Sequence, residues 1–312
     1  MIDKTLTIGV EIEMTGISRM DAAKVVAQTL GTPDLPIDQA DTSIYDRKLV
    51  KDRTGRTWTI ERDGSITTEA DRNGRNSGLN SVELVTPILR YEDIETLQKV
   101  IRSLRGAGAK VNASCGIHIH IGADAFDGRS LRNLVNIMAS KQSLIYKALG
   151  TYLNRATRYC KPVDPHFLKA LNRDKPEDVG GIKALWYRLV DHGDGVLFQK
   201  DRYNQTRYHA LKLHAINIHH TIEFRLFNGT LHAGKIKAYI QFCLAVSSQA
   251  IHQKSASPKE TQTTNPKYTF RTWLLRMGLI GDEFKTCRKW MLDNLSGDIA
   301  FRHGREGARR SA

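Results

Sequence analysis

The sequence predicts an α+β fold in which a mostly antiparallel β-sheet is covered by helices. The strand-like segments alternate polar and apolar residues, which is typical of sheets with one buried face. Helical segments of varied length separate these strands. The strands lack the continuous apolar runs of a doubly wound parallel sheet, so that fold is disfavoured.

Strands are predicted where side chains of alternating polarity follow one another over a short run. The Asp63-Gly64 pair ends one strand in a turn, and Pro87 stops another. In chain order, the predicted strands are residues 5–14, 57–62, 81–85, 117–121, 208–213 and 221–227.

Helices are predicted where apolar residues recur at helical spacing between capping residues. Ser18 can cap the first helix, and Gly150 ends a long one. Residues 155–200 contain three prolines and a Gly-Gly pair, which predict loops and short helices that form a lid or an insertion. In chain order, the predicted helices are residues 19–30, 91–105, 130–149, 233–252, 270–277 and 283–295.

A chain of 312 residues is long enough to bury a large core. Its loops and linkers predict one main domain over residues 1–254, which contains the 155–200 lid. Polar residues and two prolines predict a linker over 255–267, followed by C-terminal helices over 268–295. Residues 296–312 are basic and are expected to form a disordered tail.

The composition is that of an ordinary globular protein, with 40% hydrophobic and 26% charged residues. No apolar run reaches the roughly 18 residues of a membrane span, and the N-terminus lacks a secretory pattern. The four cysteines are scattered without CxxC spacing, which favours reduced thiols. We therefore expect a cytoplasmic protein without a membrane partner.

The net charge of +14 favours anionic partners. The basic residues are spread along the chain and are not interleaved with aromatic residues, so a nucleic-acid partner is only weakly indicated. An acidic or polymeric substrate also fits the charge. A basic nucleic-acid-binding protein therefore stays open as an alternative.

Three strand-like segments, far apart in the sequence, each place ionisable side chains two residues apart. Such residues share one face of a strand, while the apolar residues between them occupy the other. Together with Glu83, they are difficult to explain as ordinary surface, and the mixture of carboxylates and imidazoles indicates bound metal and phosphate. The pairs are Glu11 and Glu13, His118 and His120, and Glu223 and Arg225.

Each of these features has a simpler explanation when it is taken alone. Two neighbouring glutamates repel each other unless a cation lies between them, but both can also face solvent on an edge strand. His118 and His120 can be structural, or they can bind zinc with a carboxylate, which makes a zinc-dependent hydrolase an alternative. Glu223 and Arg225 can form a structural ion pair, and Asp63 can simply stabilise its turn.

Taken in order, these segments resemble the amidoligase family, within the superfamily of glutamine synthetase and glutamate–cysteine ligase. The resemblance covers roughly residues 5–248 and leaves out the C-terminal helices and the tail. It depends on the order and combination of the motifs more than on any single motif. The matching segments are GVEIE at 9–13, DGSI at 63–66, ELVTP at 83–87, CGIHIHIG at 115–122 and TIEFRLFNGTL at 221–231.

The resemblance implies a curved, mostly antiparallel sheet that forms an active-site funnel, like the catalytic domain of glutamine synthetase. It implies an ATP- and Mg2+-dependent carboxylate–amine ligase, with Mn2+ as an alternative ion. Such an enzyme forms an amide or peptide bond through an acyl phosphate, from a small-molecule or peptide carboxylate and an amine. The main domain over residues 1–254 would then be the catalytic domain.

The resemblance also implies that several strand residues are metal ligands. By position, Glu13 and Glu83 resemble the ligands of one ion. Glu11, His118 and Glu223 resemble the ligands of another.

Further residues are implied to bind ATP and the substrates. His120 and Arg225 resemble the residues that bind the ATP phosphates, with Arg225 as a catalytic residue at the transferred phosphoryl group. Asp63, the second implied catalytic residue, lies in a turn expected to face the amine substrate. An Asn is expected near Lys212, so this position departs from the family pattern. The residues that suit a carboxylate-bearing substrate are Arg202, Arg207 and Tyr208.

Overall fold

The computed structural model describes residues 2–39, 43–68, 78–191, 201 and 204–303. The strands of this part of the chain are β1 (Ile8–Met14), β2 (Lys48–Lys51), β3 (Thr57–Glu61), β4 (Val82–Val85), β5 (Gly116–Gly122), β6 (Leu211–Lys212) and β7 (Thr221–Asn228). They belong to one open, antiparallel sheet in the order β2-β3-β4-β1-β5-β7-β6. With the helices, this sheet confirms the predicted α+β class, whereas the funnel stays a prediction.

The helices of the described residues include all those that the sequence predicts. None of them, within the described ranges, combines the length and the apolar character needed to cross a lipid bilayer. The helices are α1 (Arg19–Thr29), α2 (Ile94–Gly106), α3 (Gly128–Leu149), α4 (Leu153–Arg158), α5 (Pro165–Asp174), α6 (Val179–Trp186), α7 (Ala215–His219), α8 (Ala233–His252), α9 (Pro266–Arg276) and α10 (Lys285–Leu292).

Three regions differ from the sequence-based expectation. β2 and α7 are not predicted, because four or five residues are too few to show a periodic pattern. The predicted strand 208–213 is reduced to β6, because the N–H of Tyr208 instead closes a turn onto the carbonyl of Gln205 at 3.3 Å. The short helices predicted within 155–200 are confirmed, since this segment contains most of α4 and all of α5 and α6. Its residues 192–200 lie outside the described residues.

The chain divides into two compact units. The sheet unit consists of Thr7–His120 and Phe227–Lys237. The helical unit consists of Met1–Leu6, Ile121–Leu226 and Ala238–Ala312. The boundaries predicted at residues 254, 267 and 295 stay predictions.

In the sheet unit, α1 and α2 pack together, and α1 also contacts β2 and β3. The side chain of Ser18 accepts the backbone N–H of Asp21 at 3.1 Å, so the predicted N-cap is confirmed. The apolar positions of β1, which are Ile8, Val10 and Ile12, are at most 2% exposed. Each such side chain contributes about 1.5–3 kcal/mol when fully buried. This burial fixes the face toward which the alternate, polar positions of β1 point.

In the helical unit, α3 contacts α5, α6 and α10. The rings of Phe242, Phe270 and Trp273 form a buried aromatic cluster, in which the centroids of Phe270 and Trp273 are 5.3 Å apart. This cluster joins α8 to α9, so the predicted C-terminal helices pack into the core of this unit.

The predicted linker is held along α3 by hydrogen bonds. The amide of Asn136 donates to the carbonyl of Ala256 at 2.9 Å, and the N–H of Thr261 donates to the carbonyl of Ser140 at 2.9 Å. These bonds fix both ends of the segment 256–261. Of the predicted tail, residues 304–312 lie outside the described residues.

Candidate active site

Three glutamates lie side by side across neighbouring strands of the sheet unit. β4 pairs with β1 on one side and with β3 on the other, so Glu83 is opposite both Glu13 and Glu61. Directly opposed residues share a face of the sheet, with Cβ atoms about 4.5–5.5 Å apart. Their apolar neighbours along each strand point to the other face. The strand register therefore produces a row of carboxylates that we call the glutamate row.

The two histidines of β5 contact the carboxylate of Glu11. His118 Nδ1 lies 2.7 Å from Glu11 Oε2, and His120 Nε2 lies 3.3 Å from Glu11 Oε1. His118 Nε2 also lies 3.5 Å from Glu13 Oε1, so this imidazole is between two carboxylates. The absence of a side chain at Gly9 permits β1 and β5 to approach closely here, because a Cβ at this position would lie 3.3 Å from the Cβ of His120.

The backbone at the start of β5 orients Glu13. The N–H of Gly116 donates to Glu13 Oε2 at 2.7 Å. The preceding residue, Cys115, is held by the N–H of Gly229, which donates to its carbonyl at 2.8 Å. A Cβ on Gly229 would lie only 2.6 Å from the Cβ of Cys115, so this contact requires glycine. A residue with no functional group thus helps to position a carboxylate of the site.

Asp63 lies in the predicted turn after β3. Its carboxylate accepts the backbone N–H of Ser65 at 2.6 Å, and its carbonyl accepts the hydroxyl of Ser81. These bonds fix the turn with a carboxylate oxygen within 4.8 Å of oxygens of Glu13 and Glu83. The role of Asp63 beside the amine substrate stays a prediction, and the geometry makes Asp63 a candidate metal ligand as well.

Two groups of three side chains in the sheet unit could each hold a metal ion. Within each group, the ligand atoms all lie within 4.8 Å of one another. One group contains Glu11, Glu83 and His118, and the other contains Glu13, Asp63 and Glu83. The pairs Glu13 with Glu83 and Glu11 with His118, which the resemblance implies for two ions, are therefore close together. Glu83 belongs to both groups.

Glu83 lies in a strongly anionic environment. Burial raises its pKa well above the ordinary value, and the carboxylates of Glu11, Asp63, Glu13 and Glu61 raise it further. Among the residues that the structure describes, no cationic side chain forms an ion pair with it. A bound cation would relieve this repulsion.

The pKa of Glu11 is shifted in the opposite direction to that of Glu83, because of the two histidines that contact it. Burial alone would raise the pKa of Glu11, but the charge of His120 and the hydrogen bonds of His118 and His120 outweigh it. Together they hold the pKa of Glu11 well below its ordinary value. Glu11 therefore stays ionised and available as a ligand.

The donor set of the sheet unit fits a hard divalent cation. Such ions take carboxylate oxygens and commonly keep water and substrate phosphates as their remaining ligands. A zinc site built on two histidines would need ligand atoms of His118, of His120 and of a carboxylate close enough together to share one ion. In the described part of the sheet unit, neither candidate group contains both histidines. The oxygen-rich composition therefore favours Mg2+ over zinc.

In the helical unit, Glu223 forms a buried ion-pair group with two cations, which we call the Lys–Glu–Arg triad. β6 and β7 place Lys212 opposite Glu223, and Lys212 Nζ lies 2.5 Å from Glu223 Oε2. Arg225 is two residues further along β7 on the same face, and its Nη1 lies 2.5 Å from Glu223 Oε1. Lys212 thus stands where the resemblance implies an Asn. The role of Glu223 as a metal ligand stays a prediction.

The surroundings of Arg225 carry an excess of positive charge. Its carbonyl accepts Arg155 Nη2 at 3.3 Å, and Arg155 is itself buried. Burial raises the pKa of the Cys160 thiol to about 11, although Arg155 and Arg225 act to lower it. Two buried guanidinium groups close to one thiol make an environment that favours anions.

Residues 4–247 match the family described as "Putative amidoligase enzyme". The chain belongs to the amidoligase family. The resemblance that the strand motifs predict is thereby confirmed, and the residues of both clusters lie inside the matched range. Membership indicates an enzyme that forms carbon–nitrogen bonds. Among curated proteins, no match was found.

Two of the three predicted substrate residues of this amidoligase, Arg207 and Tyr208, are described and belong to the helical unit. Arg207 and Tyr208 are half-buried, and the guanidinium carbon of Arg207 lies 5.5 Å from the ring centroid of Tyr208. Tyr159 packs edge-on against Tyr208, with ring centroids 6.0 Å apart. Arg202 lies outside the described residues. The substrate-binding roles of all three predicted residues stay predictions.

Sequence reasoning missed three residues that belong to these clusters of the amidoligase. Glu61 ends the glutamate row, and Arg47 Nε contacts Glu61 Oε2 at 2.7 Å. The alternation of β3 could have revealed Glu61, because it follows buried Ile60 and so shares a face with Thr59. Arg155 had no such signal, because its contact with Arg225 joins segments 70 residues apart.

Proposed function

We propose that this amidoligase uses ATP and Mg2+ to join a carboxylate to an amine through an acyl phosphate. The observation that carries the proposal is the glutamate row, in which Glu83 belongs to two groups of oxygen-rich ligands. Carboxylates packed this closely are unfavourable without a cation, because like charges repel strongly where water is scarce. Mn2+ is the second ion that suits the same ligands.

The chemistry of amide formation explains why such ligands are needed. A carboxylate is a poor acyl donor, because its leaving group would be oxide. Phosphoryl transfer from ATP supplies phosphate as the leaving group, and the amine then displaces it to give the amide. Bound Mg2+ would neutralise the phosphoryl oxygens, where phosphoryl transfer most needs electrostatic stabilisation.

The residues of the chain would position and protect the reacting groups. In this proposal Glu11 and Glu13 orient the imidazole of His118 through their contacts at 2.7 and 3.5 Å. Glu223 fixes the guanidinium of Arg225, which we assign with His120 to the phosphates. The segment 155–200 would act as a lid that excludes water, because an acyl phosphate is easily hydrolysed.

The chemical class of the substrates follows from the reaction. One partner carries a carboxylate and the other an amine, as small molecules or peptides. The charge of +14 adds an acidic polymer as a candidate for the carboxylate partner.

Phosphate release tests the proposal directly. The protein is incubated with ATP, Mg2+ and mixtures of amino acids or peptides, and hydroxylamine is added to trap the acyl phosphate as a hydroxamate. Glu83→Gln should lower both products by about 100-fold or more, since it removes a ligand from both groups. The control is Glu95→Gln, which changes an exposed glutamate of α2 and should leave the rate unchanged.

Two outcomes would contradict the assignment. If Glu83→Gln releases as much phosphate as the wild type, the glutamate row is not the metal site. If the purified protein holds stoichiometric zinc that resists dialysis and needs no ATP for activity, the zinc-dependent hydrolase is the correct function.

A further inference from the structure

A large cavity of about 930 Å3 lies within the helical unit. Its lining contains none of the metal-binding, phosphate-binding or substrate residues assigned above. It is bordered by α3, the end of α8, the segment 256–264, α9 and residues 302–303. Most of these residues follow residue 247, where the match to the amidoligase family ends.

The walls of the cavity are fixed by hydrogen bonds across long sequence separations. The amide of Asn133 donates to the carbonyl of Gln253 at 2.7 Å, which holds the chain just beyond α8 against α3. The N–H of Thr261 donates to Ser140, as described above, and Asn265 donates to the carbonyl of Phe301 at 2.9 Å. A cavity bounded in this way is formed before any ligand arrives, which is typical of binding sites.

The cavity carries positive charge that the described residues do not neutralise. Lys141, Lys259, Arg276 and Arg302 line it, and no aspartate or glutamate does. Within the described ranges, none of these four side chains forms an ion pair. Burial lowers the pKa of Lys141, and the charge of Arg276 lowers it further, so the two cations repel each other. An anion between them would relieve this repulsion.

The remaining lining is polar and offers many hydrogen-bonding groups. Seven serine and threonine side chains line the cavity, together with three glutamines. Trp273 is buried and its indole N–H already donates to Gln249 at 3.0 Å, with Lys141 Nζ 5.9 Å above its ring. The cavity therefore suits a ligand rich in oxygen atoms and offers little to an apolar one.

We propose that this cavity binds a small polyanion that carries phosphoryl groups, with Lys141 and Arg276 as its main ligands. Phosphoryl groups are favoured over carboxylates because each provides three acceptor oxygens for the many donors present. A volume near 930 Å3 accommodates a ligand with more than one such group. Lys141 lies inside the range that matches the family and Arg276 lies beyond it. The proposed site does not depend on the proposed ligase activity.

Calorimetric titration of the full chain tests the proposal. The probe is inorganic tripolyphosphate, and EDTA is present so that phosphate binding through metal at the glutamate row is suppressed. Wild type should bind one tripolyphosphate per chain, and added salt should weaken the binding. Lys141→Gln and Arg276→Gln should each weaken it by about tenfold, because each removes a charge-assisted contact.

Matched variants separate a defined site from general attraction to a basic protein. Arg271→Gln removes the same charge from the same helix, but Arg271 does not line the cavity, so binding should not change. Lys141→Arg keeps the charge and should retain binding. Because Arg276 is exposed, Arg276→Gln should not disturb folding. Citrate, a carboxylate polyanion of similar size, should bind more weakly than tripolyphosphate.

Three results would overturn the proposal. The first is that the wild type shows no saturable binding. The second is that Lys141→Gln and Arg276→Gln bind as tightly as Arg271→Gln, which would indicate attraction to the overall charge. The third is that citrate binds more tightly than tripolyphosphate, which would make the ligand a carboxylate.

Discussion

The glutamate row of the sheet unit and the Lys–Glu–Arg triad of the helical unit use the same strand alternation but differ in how buried charge is compensated. In the row, Glu83 lies between two other glutamates and has no ion-pair partner among the described residues. In the triad, Glu223 has a cation on each oxygen. The chain thus supplies counter-ions for Glu223 but none, among the described residues, for Glu83. An external cation is therefore expected at Glu83.

Among the variants that test this comparison, removal of the central residue of the triad should have the largest effect on the free energy of unfolding. Glu223→Ala would leave Lys212 and Arg225 buried without their shared carboxylate. We expect the free energy of unfolding, measured with urea, to fall by about 3–5 kcal/mol. Exposed Glu95→Ala is the control and should change it by less than about 0.5 kcal/mol. A loss below 1 kcal/mol for Glu223→Ala, on the order of an exposed pair, would show that the triad is not a buried group in solution.

Addition of Mg2+ should stabilise the row rather than the triad. At a concentration about 100 times its Kd, Mg2+ should raise the free energy of unfolding by about 2.7 kcal/mol. Glu83→Gln should abolish most of this gain, because Glu83 belongs to both candidate ion groups. Glu223→Gln tests whether Glu223 contributes to Mg2+ binding. If this variant also abolishes the stabilisation by Mg2+, Glu223 is a metal ligand, as the resemblance implies. The contrast between Glu83 and Glu223 would then be wrong.

Replacement of Lys212 by Asn, the residue expected from the family, should leave the carboxylate of Glu223 less compensated and so more like that of Glu83. Lys212→Asn removes one of the two charged hydrogen bonds to Glu223, so the free energy of unfolding should fall by about 2 kcal/mol without metal. The released oxygen should make the variant respond more strongly to Mg2+ than the wild type does. Equal responses to Mg2+ in thermal unfolding would show that Lys212 does not take the place of an ion.

The pH dependence of the metal-free protein should give the smallest effect. The folded-state pKa of Glu83 lies above its ordinary value of 4.5, so its stabilising contribution is complete below that pH. This contribution is lost as the pH rises through the folded-state pKa, with a slope of at most about 1.4 kcal/mol per pH unit. Urea unfolding in EDTA should therefore show a flatter pH profile for Glu83→Gln than for the wild type.

Glu11 should act in the reverse sense and serves as the internal control. Its folded-state pKa is lowered, so its contribution is present above pH 4.5 and is lost as the pH falls through the lowered value. Glu11→Gln should therefore flatten the profile only on the acid side. Identical profiles for both variants would contradict the opposite pKa shifts described for Glu83 and Glu11.

The sequence was sufficient to predict the class of fold, the family and most members of both clusters. The alternation of polar and apolar residues and the order of the motifs can be read along the chain without knowledge of its contacts. Strand register is not local, which is why the central position of Glu83 and its pairing with Glu61 could not be predicted. Lys212 was recognised as a departure, but its partner depends on the pairing of β6 with β7. The cavity of the helical unit was missed because one of its walls is a polar segment that hydrogen bonds hold against α3. These bonds join residues that are far apart in the sequence.

Gly229 illustrates how a residue without a functional group can constrain a site. The residue contributes no chemistry, yet its contact with Cys115 holds the backbone that presents the Gly116 N–H to Glu13. Any other side chain would meet the Cβ and the carbonyl of Cys115 at once. A substitution at position 229 would therefore displace the backbone beside the site even though it alters no reactive group. A library that randomises only reactive side chains would leave this restriction unseen.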